Sequence, residues 1–164
     1  VMWNSFFNRV TQTVAPAVQT PTDQFKECWR HIKSFYIAKK QDLELEGIPQ
    51  SLNKMIQILL EEEDRLCSNN PTPLPGPCLD LFLREGVLQF LCSVCVRDTP
   101  PGMRKLTMAA ISNLLRSAQY IPLLPHQSVQ VPLSKLIRVC ADMKQAQGGQ
   151  SADFDEEYLA LLET

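Results

Sequence analysis

The fold is decided by residues 77–140, PCLDLFLREGVLQFLCSVCVRDTPPGMRKLTMAAISNLLRSAQYIPLLPHQSVQVPLSKLIRVC. Prolines recur in this stretch just ahead of runs in which apolar residues have the helical period. Because proline is tolerated in the first turn of a helix and excluded from its interior, each such proline marks a helix start. The pattern predicts an all-α protein, an α-solenoid of stacked helix pairs of the HEAT or armadillo kind. A solenoid presents surfaces for partners, so function is sought in binding.

Length and charge narrow the class of protein. A chain of 164 residues with 45% hydrophobic residues can bury a core, so a single helical domain over 1–164 is expected. The balance of 16 basic and 18 acidic residues gives no basic excess for phosphates, which argues against nucleic-acid binding. The sequence contains neither an apolar run of about 20 residues nor a secretory signal, which favours a cytoplasmic protein.

Apolar periodicity places the remaining helices on either side of proline-rich and glycine-rich turns. An amphipathic helix is expected within residues 1–20, docked on its own domain rather than on a membrane. A loop with alternating prolines follows the third helix, and its lack of flanking basic residues argues against an SH3 ligand. The tail, 150–164, is expected to be flexible or to add a short acidic helix with Phe154, Tyr158, Leu159 and Leu162 on its apolar side. The predicted helices are 2–14, 23–40, one that starts near Pro49 and ends in the acidic run 61–64, 78–84, 87–96, one from Met103 to about Ala118, and one from Pro132 to Gly148.

Two features of these helices have competing interpretations. The run Glu61-Glu62-Glu63-Asp64 is interpreted as a solvated face, with a docking patch for a basic partner as the alternative. The aromatic row that includes Trp29 is interpreted as a core face rather than a ligand box. We expect Trp29 to lie between the second and third helices, close to Phe25, Ile32, Leu52 and Ile56.

The six cysteines and two histidines suggest no metal or redox site. Cys92 and Cys95 form one CxxC spacing, but they share an apolar stripe, and no second pair follows. Neither His31 nor His126 has finger-like spacing, and His126 is interpreted as a loop or packing residue. We therefore predict buried free thiols, no bound metal and no cofactor.

No catalytic motif supports an enzyme. The sequence lacks a P-loop, GxGxxG, HExxH and GxSxG, and no nucleophile has a base placed beside it by a recognisable pattern. We predict a protein without catalytic residues. Its partner-binding residues are not identified by any motif.

The opening stretch also carries a family resemblance. The ordered motifs PCL, PPGM, PLLPH and PL..LIR.C, together with Trp29, resemble the N-terminal region of the FHIP family, the retinoic-acid-induced, Hook-interacting proteins. The resemblance covers roughly residues 23–145. Members are longer α-solenoids, so the chain is expected to be the N-terminal segment of such a protein, with a divergent short relative as the alternative. An isolated segment would expose one apolar flank through which it self-associates, unless the tail from Ser151 covers that flank.

The resemblance implies a role and a set of partners. It implies a scaffold that joins the Fused Toes protein and a Hook coiled-coil adaptor, and that links vesicle or endosome cargo, through Rab-family GTPases, to cytoplasmic dynein. Membrane association would be peripheral and made through those partners. The alternative is a generic helical-repeat interaction domain with a different partner.

Overall fold

The computed structural model describes residues 19–148 and 155–164, and those residues form helices without any β-strand. The all-α prediction is therefore confirmed for the part of the chain that is described. The N-terminal helix expected within residues 1–20 falls almost wholly outside that part. The helices are α1 (Pro21–Ile37), α2 (Ile48–Cys67), α3 (Pro77–Arg84), α4 (Val87–Arg97), α5 (Met103–Ser117), α6 (Gln127–Ala146) and α7 (Asp155–Leu162).

Helix starts follow local capping rules. α1 begins two residues earlier than predicted because Thr20 is its N-cap, and Asp23 completes a capping box with it. Prolines occupy the first or second position of α1, α2 and α3. Gly86 separates α3 from α4 and has a φ of 65°, a left-handed conformation that glycine adopts without steric cost.

Other helix boundaries also differ from the prediction, among them the end of α1 at Ile37. α2 does not end in the acidic run but continues to Cys67. α6 begins at Gln127, so Pro132 lies inside the helix rather than at its start. Pro132 has no N–H, and the helical bond to the carbonyl of Ser128 is missing. The helix tolerates this loss because its buried face, which includes Leu133, Leu136 and Cys140, continues past the proline.

In the C-terminal half of the chain, a helix packs on the second helix after it in the sequence, as α4 does on α6. α1 packs on α2, and α2 also contacts α5. α4 packs on both α5 and α6, whereas α5 packs on both α4 and α7. The small helix α3 touches α1, α2, α4 and α6, and thereby joins the two halves. The buried apolar side chains form one cluster that runs through all seven of these helices.

The acidic tail helix is confirmed, but its buried face differs from the predicted one. Tyr158 and Leu161 are buried, whereas Leu159 and Leu162 are about half exposed. The predicted stripe also included Phe154, which lies outside the described residues. No described helix is long and apolar enough to span a bilayer.

Candidate functional site

Glu62 binds the N-terminus of another helix. Its carboxylate accepts hydrogen bonds from the backbone N–H groups of Cys78, at 2.9 Å, and Leu79, at 3.0 Å. These are early residues of α3, whose own N-cap, Gly76, has no side chain to accept them. A carboxylate at this position also interacts favourably with the helix dipole. Glu62 therefore acts as the N-cap of α3 from across the structure.

The absence of a side chain at Gly76 makes room for this carboxylate. A Cβ atom at Gly76 would lie well inside van der Waals distance of the Glu62 side chain. The site thus requires a glutamate on α2 and a glycine just before α3.

Glu63 binds the chain at a second distant place. Its carboxylate accepts hydrogen bonds from the N–H groups of Gln119 at 3.2 Å, Tyr120 at 2.9 Å and Ile121 at 2.7 Å. These residues follow α5 and lead towards α6. Glu63 therefore orders a connection whose backbone donors would otherwise have no helical partner.

The solvated-face interpretation of the acidic run is wrong for its two central residues. Glu62 and Glu63 are only 2% and 9% exposed, while Glu61 and Asp64 are exposed as predicted. The docking-patch alternative fails for the same two residues, because their carboxylates already bind backbone donors. Burial is possible because each carboxylate accepts several hydrogen bonds from N–H groups.

The burial predicted for Trp29 is confirmed, and its aromatic neighbour is one that the sequence did not indicate. Trp29 is 7% exposed, and its ring meets Phe90 of α4 edge to face, with centroids 5.2 Å apart. Its indole N–H is buried and donates no hydrogen bond to a described residue.

The two histidines lie at ordinary structural positions. On the same helix as Trp29, His31 is hydrogen-bonded through Nδ1 to the hydroxyl of Ser51, at 2.7 Å. His126 is the N-cap residue of α6.

All six cysteines are buried free thiols, as predicted. Burial raises the pKa of each, to about 11 for Cys78 and about 12 for Cys92. These thiols are therefore protonated at neutral pH, whereas metal binding and nucleophilic attack require the thiolate. Within residues 19–148 and 155–164, no group of three or more His, Cys, Asp or Glu side chains could hold a metal ion. Absence of a bound metal stays a prediction.

We expect none of the six thiols to react with an aromatic disulfide reagent at pH 8 while the protein is folded. Each is buried, and a raised pKa reduces the thiolate fraction at that pH. In guanidinium chloride all six should react. Cys92→Ser should lower the number of reactive thiols by one in the unfolded protein and should leave the folded protein unchanged. Rapid release of even one equivalent from the folded protein would show that a thiol is accessible.

A surface groove lies where α3, α4 and the first turns of α6 meet. It has a volume of about 730 Å³. One wall is formed by Gly86, the N-cap residue of α4, and by a stripe of α4 with helical spacing, Gln89, Ser93 and Arg97. The opposite wall comes from α6, and the end is closed by Leu83 and Arg84 of α3. The α6 wall and floor include Gln127, Ser128, Val131, Pro132, Lys135 and Leu136.

The groove combines an apolar floor with positive charge. Leu136 and Cys92 lie buried in its floor, and Val131 at its edge is 65% exposed. Arg97 and Lys135 are exposed on opposite walls. Sequence reasoning missed this site. The sequence feature that could have indicated the groove is the polar stripe on α4, which is otherwise an apolar helix.

The family model for retinoic acid induced 16-like proteins matches residues 78–164, just over half of the chain. The chain belongs to this family. The match begins at Cys78, whose N–H binds Glu62, and it includes every residue that lines the groove. It confirms the family recognised from the PCL, PPGM and PLLPH motifs, since the FHIP proteins belong to the retinoic acid induced 16-like family. No solved structure matches the chain.

Proposed function

We propose that this chain is a non-catalytic scaffold module of an adaptor complex. The complex would link vesicle or endosome cargo, through Hook coiled-coil adaptors and Rab-family GTPases, to cytoplasmic dynein. The observation that carries the proposal is the family match over residues 78–164, which includes the PPGM, PLLPH and PL..LIR.C motifs of the FHIP resemblance. The chain would act in the cytoplasm and reach membranes through its partners.

The way in which the helices pack supports a solenoid. In stacked helix pairs, equivalent helices of successive pairs contact each other. α4 and α5 form one pair, and their partners in the next pair are α6 and α7, respectively. We therefore propose that α4 to α7 are two successive repeats of an α-solenoid. The exposed side chains of Leu159 and Leu162 on α7 would meet a further helix or a second copy of the chain.

A role without catalysis agrees with the chemistry of the described side chains. The thiols are buried and protonated, and His31 is held by Ser51. The two buried carboxylates are engaged by backbone donors. A binding module is the simplest function for such a molecule.

Co-expression tests the adaptor role. The tagged chain, produced together with a Hook adaptor and the Fused Toes protein, is expected to retain both through affinity purification and size-exclusion chromatography. A tag-only control should retain neither. If the folded chain elutes alone at micromolar concentration, it does not contain the surface that joins the adaptor complex.

A generic interaction domain with a different partner is the second candidate. The groove between α4 and α6 favours it, because an apolar floor with basic walls suits many acidic helical ligands. Binding at the groove together with failure to retain Hook and the Fused Toes protein would support this candidate over the first.

A further inference from the structure

We infer that the groove between α4 and α6 binds an amphipathic helix of a partner protein, with acidic residues beside its apolar stripe. The inference deepens the proposed function by giving the chemistry of one partner. It rests on that function only for the premise that the chain acts by binding proteins.

The shape of the groove suits a helix. Its two walls are helices, and its floor contains the buried side chains of Leu136 and Cys92. Val131 is 65% exposed at the edge, although β-branched apolar side chains are usually buried. An apolar stripe laid between the walls would cover Val131 and the exposed part of Leu83. This is the way in which amphipathic helices bind to grooves.

The charge of the groove selects an acidic ligand. Arg84, Arg97 and Lys135 line it, and none of the described residues that line it is acidic. Arg84 is 3.5 Å from Asp80, but both side chains are more than half exposed, so this ion pair is weak. Arg97 and Lys135 stand on opposite walls, where they can pair with carboxylates on both flanks of a bound helix.

Two helix N-termini add to this positive potential. Gly86 is the N-cap residue of α4 and Gln127 is the first residue of α6, and both residues line the groove. The first N–H groups of a helix have no acceptor in the preceding turn, and neither of these N-termini has a side chain that caps them. Carboxylates of a ligand are stabilised at such positions by the helix dipole.

An anionic membrane fits the groove less well. Lipid-binding surfaces present clusters of four or more basic residues, whereas three of the described residues that line this groove are basic. The buried floor lies between two walls, so it can contact the apolar stripe of one inserted helix but not a flat membrane surface. A protein helix is therefore the occupant that the geometry favours.

Fluorescence anisotropy with synthetic peptides tests the inference. The probe is a labelled peptide of about 18 residues, five helical turns, with Leu at positions i, i+3, i+4 and i+7 and Glu on both flanks. The matched peptide has Lys in place of every Glu. We expect the whole chain to bind the acidic peptide at least about tenfold more tightly than the basic one, with affinity falling as salt rises.

Charge reversal locates the binding site. Arg97→Glu combined with Lys135→Glu should weaken binding of the acidic peptide by about tenfold or more. The matched control, Lys54→Glu with Lys105→Glu, changes the net charge equally at exposed positions outside the groove, and should alter affinity less than about twofold. Equal loss in both variants would indicate nonspecific attraction and overturn the inference.

The apolar contact has its own test. Val131→Gln should weaken peptide binding by about fivefold, whereas Leu74→Gln, at a 73% exposed loop position, should not. Circular dichroism of each variant shows that it remains folded. Lack of binding to the acidic peptide would overturn the inference, as would binding only to vesicles of phosphatidylcholine and phosphatidylserine. Either result concerns the groove alone. The proposed function is tested separately, by retention of Hook and the Fused Toes protein.

Discussion

Glu62→Ala is expected to lower the free energy of unfolding by about 3 kcal/mol. The substitution leaves the buried N–H groups of Cys78 and Leu79 without an acceptor and removes a negative charge from the N-terminus of α3. The substitution also removes the cost of keeping the Glu62 carboxylate away from water, but this gain offsets only part of the loss in stability. Urea unfolding at neutral pH, followed by far-UV circular dichroism, measures the change.

The acidic run supplies the control for this experiment. Glu61→Ala changes an exposed neighbour on the same helix and should alter stability by less than about 0.5 kcal/mol. Glu62→Gln keeps the size and one oxygen, so its cost should fall between the two. Equal stability of the Glu61 and Glu62 variants would mean that the cap of α3 contributes nothing.

Trp29→Ala should cost about 3–5 kcal/mol, the usual range for removal of a large buried aromatic side chain. The change opens a cavity between α1 and α4 and removes the edge-to-face contact with Phe90. Trp29→Phe should cost only about 1–2 kcal/mol, because it keeps an aromatic ring and deletes a buried indole N–H that has no described acceptor.

A double-mutant cycle isolates the aromatic contact. Trp29→Ala and Phe90→Ala, measured alone and together, should give a coupling energy of about 0.5–1.5 kcal/mol. An unchanged melting temperature combined with lost partner binding would instead make Trp29 a surface anchor.

The sequence predicted those features that depend on one helix at a time. Apolar stripes located most helices, and the same stripes predicted that Trp29, Cys92 and Cys95 are buried. Helix starts near Pro49 and Pro77 followed from the restricted backbone of proline, whereas the start at Pro21 was predicted two residues too late. Pro132 was misplaced because the pattern does not show whether packing compensates for one lost hydrogen bond.

The features that sequence missed depend on two distant segments. Nothing in the run Glu61-Glu62-Glu63-Asp64 distinguishes its two buried members, since their donors lie 16 to 58 residues further along. The groove was missed for a similar reason. Gln89 and Ser93 look like ordinary polar surface until α6 is packed beside α4.

The hydrogen bonds of Glu62 and Glu63 bear on where this molecule can be divided. The family match starts at residue 78, which invites expression of residues 78–164 alone. A protein cut there loses both glutamates, and with them the acceptors for its own first helix and for the segment after α5. The boundary drawn by sequence similarity is therefore not a boundary of structure. An expression clone that begins at Gln19, before the cap of α1, keeps these acceptors within one chain.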